Sequence, residues 1–281
     1  MKLASFCIND QVRIGVVRDD GIVDLSDLDI GRSVKHMLSV GALARAAELA
    51  ADLPAELSID DVDFLPCIPN PGKVLCIGIN YRKHVLEMGR DLPDYPWVFT
   101  RSADSFVGHG ADMIRPASVS EQFDFEGELA VVIGTPAHRV SAAAAMDHVA
   151  GYCCLNDGSI RDFQRHSSQF TAGKNFWHSG SMGPWVVTAD EITDVSNLKL
   201  ETRLNGEIMQ SSSTGDLIFD IPKLIEYCST FARLEPGDII ATGTPGGVGA
   251  ARTPPLWLKH GDTIEVSISE IGALRNGIVD E

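Results

Sequence analysis

The chain has 281 residues, 44% hydrophobic and 22% charged, enough to bury a full core, which excludes intrinsic disorder and a disulfide-stapled miniprotein. Its 39 acidic against 23 basic residues leave a formal net charge of −16, so a nucleic-acid backbone or an anionic bilayer would be repelled, and no local basic patch offsets this. The cysteines at 7, 67, 76, 153, 154 and 228 form no C-x-x-C pair, which argues against a zinc site or disulfide framework and fits a reducing cytoplasm.

The chain starts MKLASFCIND, a short apolar stretch with a polar break and no small-residue cleavage site, and no apolar run nears the ~20 residues of a membrane-spanning helix. A soluble cytoplasmic protein is expected. Residues 2–25 alternate apolar and polar, broken by the turn-forming pairs Asn9-Asp10 and Asp19-Asp20-Gly21, which predicts a small antiparallel sheet. Residues 33–51 carry apolar positions at helical spacing, and Pro66, Pro69, Pro71 and Gly72 then crowd one segment. This predicts a small N-terminal α/β domain, 1–68, ahead of a second domain, 69–281. Beyond residue 72 come short β-rich runs such as KVLCIGI, GELAVVIG, GYCCLN, GPWVVT, GDIIATG and DTIEVSI, with helices expected chiefly around 141–149 and 220–232. Strands so short, with few helices between them, argue against a doubly wound parallel sheet and for an α+β fold built on a mixed β-sandwich or roll. Adjacent Cys153 and Cys154 on a strand should point to opposite faces.

Within 123–131 the alternation is strict, so a single strand would carry Glu126 and Glu128 on one face and Phe123, Phe125 and Leu129 on the other. Taken alone, a half-buried strand with a wetted acidic face is the commoner outcome. Two like charges on one face repel, however, and a divalent cation would reverse that repulsion. Asp157 follows the apolar run 151–156, where strand ends assemble sites, although Asp is equally at home as an N-cap of a following helix. Three hard oxygen donors without a His or Cys cluster select Mg²⁺, Mn²⁺ or Ca²⁺ over zinc. The glycine-rich stretch 243–249 lacks both the G-K-[ST] ending of a P-loop and the G-x-G-x-x-G spacing, which disfavours a nucleotide.

Several motifs now stand in order: Gly78-Ile79-Asn80-Tyr81 with His84 and Glu87, Glu126-Gly127-Glu128, Asp157 with Arg161 and Gln164, Gly173-Lys174-Asn175-Phe176, and Thr242-Gly243-Thr244-Pro245-Gly246-Gly247-Val248-Gly249. The ordered set, from residue 72 to about 270, resembles the fumarylacetoacetate hydrolase superfamily. The resemblance implies a β-roll catalytic domain, a homodimer, and one Mg²⁺ or Mn²⁺ on Glu126, Glu128 and Asp157. It makes Lys174 a cation beside the metal, Gln164 and Thr244 contacts for the oxo-acid end of the substrate, and His84 with Glu87 part of a closing segment. Arg101 stands where many relatives carry Lys in an F-x-K-P run and is read as substrate-binding. Residues 252–259 (RTPPLWLK) look inserted, with Trp257 packing on a partner subunit or rimming the site.

The chemistry of these residue types agrees. His84 and Glu87, three apart on one helical turn, can pair so that the carboxylate orients the imidazole as a base. Lys174, beside an aromatic-rich stretch, can stabilise developing negative charge. The expected reaction is hydrolysis of a carbon–carbon bond in a 2,4-dioxo acid, an acylpyruvate such as fumarylpyruvate or maleylpyruvate, to pyruvate and a carboxylic acid. The alternatives are decarboxylation of oxaloacetate or isomerisation of a dienoate, and a metal-stabilised binding protein without turnover.

Overall fold

The computed structural model describes residues 1–87 and 91–281, and the side chains of His84, Leu86 and Glu87 also lie outside that description. The alternating runs form strands. Among the described residues eleven of them make one mixed sheet, whose main path runs Gly21–Asp24, Gln11–Arg18, Lys2–Ile8, Gly180–Thr188, Val149–Asn156, Gly127–Ile133, Ile239–Ala241, Val74–Gly78 and Trp97–Thr100. A second sheet is ordered Glu207–Ser213, Lys199–Leu204, Thr263–Ile268, Gly272–Asp280 and Met113–Arg115. Helices are few, as the α+β reading expects. None among the described residues is long and apolar enough to cross a membrane.

The central strand Gly127–Ile133 is buried along its whole length, so both of its faces meet core. Leu129, Val131 and Ile133 pack with Leu200, Val266 and Ile268 of the second sheet and with Leu224 and Ile225 of the helix Ile221–Phe231. Ala130 and Val132, on the opposite face, pack with Leu3, Ile14, Val16, Val34 and Met37. Cys153 and Cys154 divide between the same two clusters, as a period of two requires. All six cysteines are free thiols.

The N-terminal strands appear where alternation places them, and residues 1–68 enclose a small cluster of Ala4, Phe6, Val17, Ile22 and Phe64 while also sharing the larger core through Leu3, Ile14 and Val16. Lys2–Ile8 pairs antiparallel with Gly180–Thr188, matching Lys2 to Val187 and Leu3 to Val186, so the large sheet runs through both segments. The helical pattern of 33–51 resolves into two helices, Val34–Ser39 and Leu43–Asp52, because Gly41 between them sits at φ +69°, a conformation that ends a right-handed helix. The Ala-rich stretch forms a 3₁₀ helix, Ala142–His148, held against the helix Ile221–Phe231 by a hydrogen bond from Ala142 N–H to Glu226 Oε1 of 2.9 Å. Glu207–Ser213 (EIMQSSS) is a strand that its polar composition did not announce.

Candidate metal centre

The acidic stretch is two strands and not one. Phe123–Asp124 pairs with Ser159–Ile160, and a new strand starts at Gly127, so Phe125 and Glu126 form the step between them. Antiparallel pairing sets Gly127 opposite Asn156 and Glu128 opposite Leu155, which brings Asp157 next to both glutamates. Asp157 N–H donates to Glu126 O at 2.8 Å and Asn156 Oδ1 accepts from Glu126 N–H at 3.0 Å. One carboxylate oxygen from each of Glu126, Glu128 and Asp157 lies within 4.8 Å of the other two. The residue between the glutamates has to be glycine, since a Cβ at Gly127 would collide with Thr202 Oγ1 of the second sheet. Asp157 is not a helix cap: the helix Arg161–Gln164 has Ile160 at its N-cap position.

The acidic face is buried, which corrects the expectation of a half-buried strand with a wetted face. Glu128 is 1% exposed, Asp157 0% and Glu126 9%. Their partners are unequal. Asp157 Oδ1 accepts from Arg101 Nη1 at 2.6 Å and its Oδ2 from Lys174 Nζ at 2.6 Å. Glu126 pairs with Lys174 at 2.8 Å and Arg161 at 2.6 Å. Among the described residues Glu128 has no cationic partner; Gly243 N–H, at 2.8 Å, is its donor. Gly243 presents that N–H from φ +102°, where other residues are strained.

Protonation follows these contacts. Burial pushes the Glu128 carboxyl well above its ordinary range, and the negative charges of Asp157 and Glu126 push it further. Burial would also raise Glu126, but Lys174 and Arg161 outweigh it and hold that carboxyl below its usual value. Lys174 is buried yet held above its ordinary value, because the attraction of Asp157 and Glu126 exceeds the cost of desolvation. Three hard oxygen donors, one of them buried without a cation, fit a divalent metal ion.

A cavity of about 750 Å³ opens over this cluster. Its polar wall includes Glu126, Arg161, Gln164, Lys174 and Thr244, and its apolar wall Ile77, Ile79, Phe99, Phe170 and Val248. Lys174 Nζ lies 5.2 Å from the centroid of Phe99. Ile79 holds φ +56°, a costly conformation for a β-branched residue of order 1–3 kcal/mol. It is pinned by Asn80, whose Nδ2 donates to Thr242 O and Phe219 O and whose Oδ1 accepts from Phe219 N–H.

The structure therefore gathers Glu126, Glu128 and Asp157 in one cluster, and Glu126, Lys174, Gln164 and Thr244 line the cavity beside it. Thr244 lines it, although its hydroxyl donates to Gly127 O and accepts from Gln210 Nε2, so only acceptor capacity is left for a ligand. Gln164 Oε1 accepts from Arg161 Nη1. Arg101 departs from its substrate-binding reading. Its side chain is fully buried behind Asp157, bonded to that carboxylate, Gly158 O, Ser105 and Ser179, and it does not line the cavity. Its guanidinium is saturated by the protein and holds the Asp157 carboxylate instead. His84 and Glu87 belong to the helix Arg82–Glu87, but their side chains lie outside the described residues.

Two charged residues had no assigned role in the sequence reading. Arg161 bridges Asp124 and Glu126, and its Nη2 has no hydrogen-bond partner among the described residues. Asp124, fully buried, accepts from Gly249 N–H and Ala250 N–H as well as from Arg161, so the glycine-rich loop grips a carboxylate of the protein itself. The only hint was that Asp124 and Arg161 flank the ligand positions. In the 252–259 segment, Leu258 is buried against Phe123, and Trp257 is half-buried and away from the cavity lining.

Residues 73–279 match the family model described as fumarylacetoacetate (FAA) hydrolase, C-terminal. Over 300 aligned residues the chain is 48% identical to oxaloacetate tautomerase YisK of Bacillus subtilis (strain 168), covering 99% of this chain and 100% of that relative. Among solved structures, a fumarylacetoacetate hydrolase from psychrophilic Exiguobacterium antarcticum superposes with a TM-score of 0.87 at 34% identity, covering 100% of both chains. Maleylpyruvate hydrolase from Sphingobium sp. SYK-6, in complex with manganese(II) and pyruvate, superposes with a TM-score of 0.85 at 29% identity, over 100% of this chain and 99% of that one.

Proposed function

This chain belongs to the fumarylacetoacetate hydrolase family, and we propose that within it the chain is a divalent-metal-dependent enzyme of 2-oxo acids that interconverts the enol and keto forms of oxaloacetate. The observation that carries the metal reading is Glu128, a buried carboxylate with two acidic neighbours and no cation among the described residues. The choice of oxaloacetate is supported by the full-length likeness to an oxaloacetate tautomerase, which includes residues 1–68.

Glu126, Glu128 and Asp157 would hold Mg²⁺ or Mn²⁺, which when bound supplies Lewis-acid polarisation of the 2-oxo oxygen. Lys174, fixed by two carboxylates in a dry pocket, keeps a positive charge beside the oxygen on which negative charge develops, and it needs no reorganisation to do so. In the enol-to-keto direction a proton leaves the enol oxygen and one is added at C3, so atoms balance without water or an oxidant. His84 is the proposed proton carrier with Glu87 as its partner, on the helix that follows the cavity-lining Ile79.

A second reading, hydrolysis of an acylpyruvate, is favoured by the apolar wall of the cavity, which offers room beyond a four-carbon acid. One experiment separates them. Enol oxaloacetate is given to the Mn²⁺-loaded protein and its ultraviolet absorbance followed, with pyruvate counted in parallel and maleylpyruvate as the comparison substrate. The expected result is fast loss of the enol signal without pyruvate, slowed by roughly 10²–10⁴ in His84→Ala. Pyruvate from maleylpyruvate without faster enol loss would install the hydrolase, and pyruvate from oxaloacetate the decarboxylase.

A further inference from the structure

Among the described residues the cavity holds one cation that the acidic cluster does not use. Arg161 and Lys174 are each paired with carboxylates. Arg165 also lines the cavity, and no ion pair engages it among the described residues. Its side chain is exposed, and its one side-chain hydrogen bond is a long 3.4 Å contact to Gln122 Oε1. In a chain of net charge −16 the described cavity wall carries three cations, Arg161, Arg165 and Lys174, against one acid, Glu126, and Arg165 is the one of the three without a carboxylate partner among the described residues.

Its position relative to Arg161 is fixed by backbone. Arg165 N–H donates to Arg161 O at 3.2 Å, closing one helical turn, and Arg165 keeps αR geometry. Residues four apart on such a turn stand on one face roughly 6 Å apart along the axis. Arg161, buried, and Arg165, exposed, therefore both stand on one wall of the cavity, from its buried end to its rim. The two carboxylate carbons of an extended four-carbon diacid lie about 3.9 Å apart at carbon–carbon bonds of about 1.5 Å, and their outer oxygens about 6 Å apart, so such a diacid is long enough to reach from the buried end of this wall to Arg165 on its rim.

We propose that Arg165 is a specificity-determining residue, which binds the distal carboxylate of a 2-oxo dicarboxylic acid whose oxo-acid end lies at the Glu126, Glu128 and Asp157 cluster. This rests on the 2-oxo acid reading of the site and deepens it, by separating dicarboxylic from monocarboxylic substrates. Arginine suits the task because its planar fork meets a carboxylate with two parallel hydrogen bonds. An exposed position on the rim lets it select at entry without enlarging the buried charge of the cluster.

Calorimetric titration of the full-length, Mn²⁺-loaded protein with malate and with lactate tests this, since the two share a 2-hydroxy-acid end and neither is turned over by proton transfer at an oxo acid. Wild type should bind malate roughly 10- to 100-fold more tightly than lactate, the worth of a hydrogen bond to a charged group. Arg165→Gln should erase that preference while lactate affinity holds, and Arg165→Lys should restore part of it. Equal affinity for the two acids in wild type, absence of binding by both, or a preference that survives Arg165→Gln would overturn the assignment. The two readings fail separately: a malate preference that Arg165→Gln erases, without acceleration of enol oxaloacetate, leaves the subsite standing and removes the tautomerase. Turnover of oxaloacetate without the malate preference does the reverse.

Discussion

One face of the strand Gly127–Ile133 ends in ions at Glu128 and continues as hydrocarbon at Ala130 and Val132. At the hydrocarbon end the face meets the N-terminal segment through Leu3, Ile14, Val16 and Met37, in contacts that are many, weak and adjustable. At the ionic end a few bonds of 2.6 to 2.8 Å hold three carboxylates that would otherwise repel. The first region tolerates changes of shape in proportion to the volume lost. The second does not tolerate losing Glu126 or Asp157, because either removal strands a buried charge of opposite sign.

The sharpest test is Asp157→Ala. It removes a metal donor and leaves Arg101 and Lys174 facing a void, so Mn²⁺ binding should disappear in a calorimetric titration and unfolding in urea should show a loss of about 3–5 kcal/mol. Wild-type Mn²⁺ affinity in this variant would dissolve the contrast, since Asp157 would then be only a partner for cations.

Lys174→Met keeps much of the stem and deletes the charge that lies over Phe99. Turnover of the substrate should fall by roughly 10²–10³ in kcat. Near-normal kcat with lowered stability would make Lys174 a structural counterion and move catalysis elsewhere in the cavity.

Ile14→Val probes the hydrocarbon end, where Ile14 is 2% exposed. A cost of about 0.5–1.5 kcal/mol in urea unfolding is expected, with Mn²⁺ affinity as in wild type. A measurable change in metal affinity would show that the N-terminal segment tunes the site through the shared strand.

The smallest expected effect is a pH dependence at the edge of that segment. His109 packs edge-on to Phe64 at 5.8 Å, and its Nδ1 accepts from Arg275 N–H at 3.1 Å, a bond that only the neutral ring can accept. Burial, with the nearby Arg275 charge, lowers its pKa from 6.5, against a smaller opposing pull from Glu265. The folded state thus binds a proton less readily than the unfolded chain, so its contribution is full above pH 6.5 and is lost as pH falls below that value. His109→Asn should flatten this slope by well under about 1 kcal/mol, since the ring is partly exposed and screened. An unchanged slope in thermal melts between pH 5 and 7 would remove His109 from the account.

The carboxylate cluster was legible because chemistry needs particular residue types at particular offsets. Glu126, Glu128 and Asp157 announce themselves as an acidic step and a strand end, and Lys174 as a cation between glycine and aromatics. Arg101 was misread because a guanidinium beside a site looks the same in sequence whether it faces a ligand or a carboxylate of the protein. Asp124 and Arg161 were passed over for the same reason, since their pairing spans a turn of chain that only the strand pairing Phe123–Asp124 with Ser159–Ile160 closes.

By itself the sequence determined the strands with alternating apolar runs, the class of fold, and the kind of ion that three carboxylates prefer, because period, turn chemistry and donor type are local properties. Only the tertiary structure decided that the acidic face is buried, that Glu128 alone among the three carboxylates lacks a cation among the described residues, and that residues 1–68 complete a sheet begun elsewhere. Alternation states which residues share a face. What covers that face comes from segments far away in the chain, and the cost of burying a charge there depends on those partners rather than on its neighbours in sequence.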